Sequence, residues 1–332
     1  MNIPVTRTTR EIKKNNVVQV IEALKSQGAV TKSEVAAETG LSVATCGTVL
    51  NELCQSGEAL IVAQAASSGG RPAQRYACNP DFYSVLSLYA EGSDASATLV
   101  WSVTSATGEM LAQGEQDLMP LTLENFYQQT ESLIKAWPGI KVLGVGLPGV
   151  VTDGVVLSCD ISLFVNVPVV QELQQRFGLY VQVDNDMNYT AWGFYRSSCA
   201  DTSAPVAYIL KPDVPCTGCG IVINGQVLQG ASFFAGEVSC LPWQTGESLS
   251  LTDELGKTVA SLAAMINPVT VALAGPRLSE EMLPLIRQRC AEYIPERHIP
   301  HLVFRHAVRP DYLQGIAELS SQRYMLHRLF NG

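Results

Sequence analysis

Two groups of residues have the types and spacing for chemistry. One is the pair Cys216 and Cys219, the single CxxC in a chain with nine cysteines. Two thiolates at that spacing can share a metal, but a structural zinc site takes four ligands. No second CxxC is present, and all four histidines (His298, His301, His306, His327) lie far along the chain near the C-terminus. Nine is odd, and the cysteines are scattered through 332 residues, so a disulfide framework is not expected. The pair therefore reads as buried free thiols, with neither metal nor cofactor. The other group is Ser42, Val43, Ala44, Thr45, Cys46, Thr48 and Asn51. Hydroxyls, an amide and methyl groups can read base edges in a major groove, and Val43 and Ala44 suit thymine methyls. Lys32, Arg71, Arg75 and the N-terminal Arg10, Lys13 and Lys14 are candidates for phosphate contacts.

The elements around the second group fit that use. Val17, Val20, Ile21 and Leu24 stand at i, i+3, i+4 and i+7, which predicts a helix over 15–27 with Gly28 as its stop. Thr31 and Glu34 form a capping box that opens a second helix. Thr39, Gly40 and Leu41 supply a turn, and Ser42 caps a third helix that ends at Gly57. A helix-turn-helix presents the N-terminal residues of its second helix to the groove. A strand over 59–62, a Ser/Gly tip at 67–70, then Arg71-Pro72 and a return strand from Arg75 read as a wing. The charge is consistent. Residues 1–80 hold eight Lys/Arg and six Asp/Glu, whereas 81–332 hold fourteen and twenty-five, within a total of −9. One head makes few contacts, so a homodimer or dimer of dimers on a palindromic double-stranded operator is implied.

The remainder reads as an α/β body. At 47% hydrophobic and 16% charged residues the chain can bury a large core and is not a disordered composition. No run of eighteen apolar residues marks a membrane span, and the N-terminal cations precede no apolar stretch, so a cytoplasmic location is expected. Strands are predicted at 85–89, 97–103, 110–112, 142–147, 155–157 and 180–183, with helices at 123–136 and 169–177. A second series has strands at 206–210, 220–225, 226–228 and 269–274, with helices at 255–266 and 280–290. Two such series predict two lobes with a cleft between them. The predicted units are 1–80, then 81–190 with a return segment at about 310–332, and 191–309.

Several stretches resemble the ROK family (repressors, open reading frames and kinases), most closely its branch of xylose and N-acetylglucosamine repressors. They are TGLSVAT and SSGGRPAQRY in the head, and GVGLPGVV (144–151), VDNDMNYTAWG (183–193), GIVINGQVLQGASFFAGEVSC (220–240) and INPVTVALAGPRL (266–278) in the body. The resemblance runs from about residue 12 to 325. It implies a winged helix-turn-helix followed by a two-lobed, actin-like body of the sugar kinase and RNase H kind. It also implies a sugar pocket. Asn185 and Asp186 match the family's Asn-Asp pair, Glu237 matches its sugar-binding Glu, and Pro148 and Gly149 would line the same cleft. In a family kinase, the residue matching Asp186 is the general base that takes the sugar hydroxyl proton.

The departures from the family pattern point away from catalysis. Where family kinases have an Asp-x-Gly-Gly-Thr turn, this chain has 90–96, AEGSDAS, with Glu91 and Asp94 near where phosphates would lie. The second phosphate turn, 213–220, has lost its first glycines, and Pro215 removes an N–H donor. The family's metal-binding Gly-His is replaced by Ser239 and Cys240, and no cysteine cluster follows. The expectation is a repressor of sugar-metabolism genes that responds to a sugar or sugar phosphate, with no catalytic residue. The rival readings are a sugar kinase with a regulatory head and a ligand-free regulator controlled by a protein partner.

Overall fold

The computed structural model describes residues 9–64, 73–93, 96–152, 154–159, 161–200, 202–214, 216–242 and 249–331. The wing tip with Arg71, Asp94 of the first turn and Pro215 of the second lie outside the described residues.

The head opens with α1 (Thr9–Gln27), β1 (Val30–Thr31), α2 (Lys32–Thr39) and α3 (Val43–Ser56). The predicted caps form. The Thr31 hydroxyl accepts from Glu34 N, the Glu34 carboxylate accepts from Thr31 N, and Ser42 Oγ accepts from Thr45 N. Gly40 and Gly57 end the two helices in the left-handed conformation, which glycine adopts without a Cβ clash. Then come β2 (Ala59–Gln64) and β3 (Gln74–Cys78), which pair antiparallel, and β1 adds to β3. Val20, Leu24, Val35, Leu50 and Tyr76 form the centre of the head's core.

The body begins with β4 (Ser84–Ser93), β5 (Ser96–Ser105), β6 (Met110–Leu118), α4 (Leu123–Ala136) and β7 (Ile140–Leu147). A small hairpin, β8 (Gly149–Thr152) and β9 (Val155–Cys159), precedes α5 (Val169–Phe177), β10 (Tyr180–Asn185) and α6 (Asp186–Ser198). The second series is β11 (Val206–Leu210), β12 (Gly218–Ile223), β13 (Gln226–Val227), α7 (Leu251–Ile266), β14 (Thr270–Ala274), α8 (Leu283–Ala291), β15 (His301–Phe304) and α9 (Arg309–Asn331). The first sheet runs β6-β5-β4-β7-β10 and the second β13-β12-β11-β14-β15. Each starts as an antiparallel meander and continues into two parallel strands. The body therefore has the two-lobed α/β fold.

Three cores follow from this layering. One lies under α4 and α5, with Phe126, Phe164 and Leu173 against β4, β7 and β10. Another lies under α7 and α8, with Leu255, Val259 and Ile286 against β11 and β14. The third is central, where α6 and α9 cross between the sheets. α6 follows β10 of the first sheet yet packs on β11 and β12 of the second. α9 follows β15 of the second sheet yet packs on β4, β7 and β10 of the first. Gly193 and Gly315 allow that crossing, because a Cβ on either would strike the other helix's backbone at Asp311 O or Tyr189 O.

Candidate functional site

The outer face of α3 carries most of the residues predicted to read DNA. Ser42, Val43, Ala44, Thr48 and Asn51 are exposed, Val43 at 51%, and Thr45 is half-buried. Three predicted residues are buried or engaged within the head. Cys46 is fully buried among Val49, Leu50 and Leu53, because the helical period turns it inward between exposed neighbours. Arg75 donates from Nε and Nη2 to Ala29 O and lies 3.9 Å from Glu34, so it clamps β3 to the α1–α2 connection. Lys13 pairs with Glu52 at 3.2 Å on the α1–α3 surface. Lys32 stays beside the reading face, 3.4 Å from Asn51 Oδ1 and over the Tyr76 ring.

In the body, Pro148, Gly149, Asn185, Asp186 and Glu237 all line one cleft of about 540 Å³ between the lobes. β7 delivers Pro148 and Gly149 from its C-terminal end, and β10 delivers the Asp184–Asp186 turn beside it. Asn185 caps α6. Its Oδ1 accepts from Met187 N and Asn188 N, and its Nδ2 donates to Gly149 O at 3.0 Å. Its carbonyl oxygen and one amide hydrogen are thus engaged, which makes it a residue that positions the turn. Asp186 stands in the first turn of α6, where the helix dipole favours a carboxylate. Glu237 faces the cleft from the second lobe, on the loop before Val238.

Sequence reasoning passed over several lining residues. Asp184 is only 4% exposed, and Asn185 N, Asn188 Nδ2, Gln229 Nε2 and Arg323 of α9 all converge on its carboxylate. Phe233 and Phe234 flank the cleft, Phe234 at 55% exposure. Phe233 holds φ at 60°, an uncommon value for a bulky residue. The signal for them was present in GASFFAGEVSC, where two adjacent aromatics sit among turn residues.

At the second turn, several donors are used within the lobe. Cys216 N donates to Val214 O, and Thr217 N donates to Ser239 Oγ at 2.6 Å. Lys211 Nζ donates to Glu254 Oε1 at 2.8 Å, Thr217 Oγ1 at 3.1 Å and Cys216 O at 3.2 Å. Cys216 N, Thr217 N and Lys211 Nζ are therefore already engaged within the lobe. At the first turn, Glu91 pairs with Arg309 at 2.7 Å. Among the described residues no group of three or more His, Cys, Asp or Glu side chains is placed to hold a metal ion. Of the CxxC pair, Cys219 is buried, and burial pushes its thiol up to about 12, whereas Cys216 is exposed, contrary to the expectation of two buried thiols. No helix among the described residues is long and apolar enough to cross a membrane.

Known proteins share this architecture. The sequence model of the ROK family matches residues 99–245. The xylose repressor of Caldicellulosiruptor bescii is 24% identical over 240 residues, which is 68% of this chain and 58% of that protein. The xylose repressor of Bacillus subtilis is 20% identical over 238 residues, 68% of this chain and 60% of that protein. The match therefore spans less than two thirds of these relatives' length. A ROK family transcriptional regulator, a homolog of the E. coli MLC protein, superposes with a TM-score of 0.76 at 19% identity, covering 97% of this chain and 100% of its own. The ROK hexokinase of Thermus thermophilus superposes at 0.60 and 17% identity over 75% of this chain and 100% of its own. Sheet order, cleft and sequence match converge: over residues 99–245 this chain is similar to the ROK family, and its fold is the one those proteins share.

Proposed function

We propose that the chain is a cytoplasmic, DNA-binding transcriptional repressor of sugar-metabolism genes, with a sugar or sugar phosphate as effector in the interlobe cleft. It acts as a homodimer on a palindromic operator, with the exposed face of α3 in the major groove and the β2–β3 hairpin as a wing. The observation that carries this reading is the course of α9. Its Arg323 lies 3.3 Å from Asp184 at the cleft, while Met325 packs in the head's core and Arg328 pairs with Glu58 of the head at 3.2 Å. One helix thus touches both the effector site and the head. A ligand that favours one closure of the lobes shifts the head's position through differential affinity for the two states.

The cleft chemistry suits a polyol. Asp186 and Glu237 can accept hydroxyl protons from opposite walls, and charge-assisted bonds of this kind are strong. The kinase-like neighbours favour a second reading, a ROK-type sugar kinase, but the engaged donors at the second turn weigh against it. The test is a genomic footprint of the bound protein, followed by anisotropy titration of the recovered operator with a sugar panel. One sugar should release the DNA, and Asp186→Asn should abolish release while leaving operator affinity intact. ATP-dependent sugar turnover lost in Asp186→Asn would establish the kinase reading.

A further inference from the structure

We propose a second ligand site, at the junction of head and body, that takes a small amphipathic organic anion with a flat apolar frame. It stands independently of the sugar reading. A cavity of about 740 Å³ lies between α1 of the head, the β5–β6 hairpin, and the α6 and α9 helices of the body. It is larger than the interlobe cleft and shares no lining residue with it. Its volume lies within the range of sites that enclose small molecules.

The wall chemistry selects the ligand. Ile21, Met110, Trp192, Leu313, Ala317 and Met325 give it a broad apolar surface. Trp192 is 4% exposed, and its indole N–H is buried with no acceptor among the described residues. A buried donor without a partner is costly, so a ligand oxygen that accepts from it gains more than a surface contact would. Each arginine of the wall is held by two carboxylates, so the acids there outnumber the arginines and only Lys25 can favour an anion. Arg196 lies between Glu22 of the head at 2.6 Å and Glu318 of α9 at 2.8 Å, and Arg309 is held by Glu91 and Glu115. Lys25 is different, with no ion-pair partner among the described residues. One unmatched cation beside an apolar surface suits a single carboxylate or sulfonate on a ring. It does not suit a polyphosphate, which needs several donors. A molecule there touches α1 and the α6–α9 pair together, so it bridges head and body.

The test uses the full chain with two probes, the anionic dye 8-anilinonaphthalene-1-sulfonate and the neutral dye N-phenyl-1-naphthylamine. The anionic dye should bind saturably at one per chain, quench tryptophan emission and resist displacement by excess D-xylose or D-glucose. Lys25→Glu should weaken the anionic dye about tenfold and the neutral dye by less than about twofold, as expected for one local charge. Trp192→Phe keeps the ring and removes the N–H, and should weaken the anionic dye about fivefold. Ala317→Phe should fill the cavity and exclude both dyes. If that variant does not fold by near-ultraviolet circular dichroism, Lys25→Glu and Trp192→Phe carry the test. Absence of saturable binding, displacement by sugar, or unchanged binding in both of those variants would overturn the site.

Discussion

The two lobes share one topology and secure it differently. Each sheet is a meander followed by two parallel strands, and each lobe's last helix crosses to cover the other's sheet. In each, an ion pair joins the outer helices: Glu124 to Arg176 across α4 and α5, and Asp253 to Arg289 across α7 and α8. The difference lies at the first hairpin. In the first lobe, Arg309 holds Glu91 and Glu115 at the surface, with side chains 47%, 55% and 59% exposed. In the second, Lys211 and Glu254 meet with only 16% and 14% exposed, and Thr217 bonds to both. Packing between helix and sheet is common to both halves, whereas the chemistry at the hairpins has diverged.

The joint between the lobes should respond most. Gly315→Ala adds a Cβ against Tyr189 O and forces α6 and α9 apart. We expect a loss of about 3 kcal/mol in urea unfolding, the upper part of the usual overpacking range. A gain of about 1 kcal/mol, the helix-propensity benefit of Ala over Gly, would show that the helices do not cross this closely.

The hairpins come next. Lys211→Met leaves the Glu254 carboxylate mostly buried without its cation. Breaking a fully buried pair costs about 3–5 kcal/mol, and the residual exposure reduces the expectation to about 2 kcal/mol. Arg309→Ala removes the exposed counterpart and should cost less than about 1 kcal/mol. Equal losses by chemical denaturation would erase the distinction between the lobes. Lys211→Met combined with Glu254→Leu and Thr217→Val should recover most of the stability, because an apolar set of similar size leaves no buried polar group without a partner.

The same contrast explains which features the sequence disclosed. Caps and outer helices were readable because each has a local rule: the Thr31–Glu34 box, Ser42, and the one-sided α4 and α5. α6 was not assigned as a helix. Met187, Tyr189, Thr190, Ala191, Trp192, Gly193, Phe194 and Tyr195 are all buried, so no polar face marks its period. α9 was foreseen only as a return segment, since its partners are α6, the first sheet and the head, distant in sequence. The cleft residues Asn185, Asp186 and Glu237 came from resemblance to family motifs. The carboxylate held by Arg323, Asp184, was missed because its partners come from three separate stretches. Cys46 has a base-reading residue type and position, but the helical period turns it into the head's core, and position along α3 does not by itself give the facing side.

The smallest effect concerns the acids that join the outer helices. Glu124 and Asp253 are both held below the usual carboxylate range, for different leading reasons. For Glu124 the main cause is the Arg176 hydrogen bonds, at 2.8 and 3.0 Å, with Gln128 second. For Asp253 it is the Ser250 hydroxyl, its own helix cap, and the charge of Arg289 is secondary. Because both are lowered on folding, each contributes stability at pH values above the ordinary carboxylate range. That contribution is lost as pH falls through the lowered value. Arg176→Gln should therefore return Glu124 most of the way to an ordinary glutamate and flatten the acid end of the stability curve. Arg289→Gln should leave Asp253 still low, because Ser250 remains. Carboxyl-carbon chemical shifts followed by NMR from neutral to acid pH read both. If Asp253 rises as far as Glu124 does, the second lobe relies on its inter-helix arginine as much as the first, and the local cap is not what holds it.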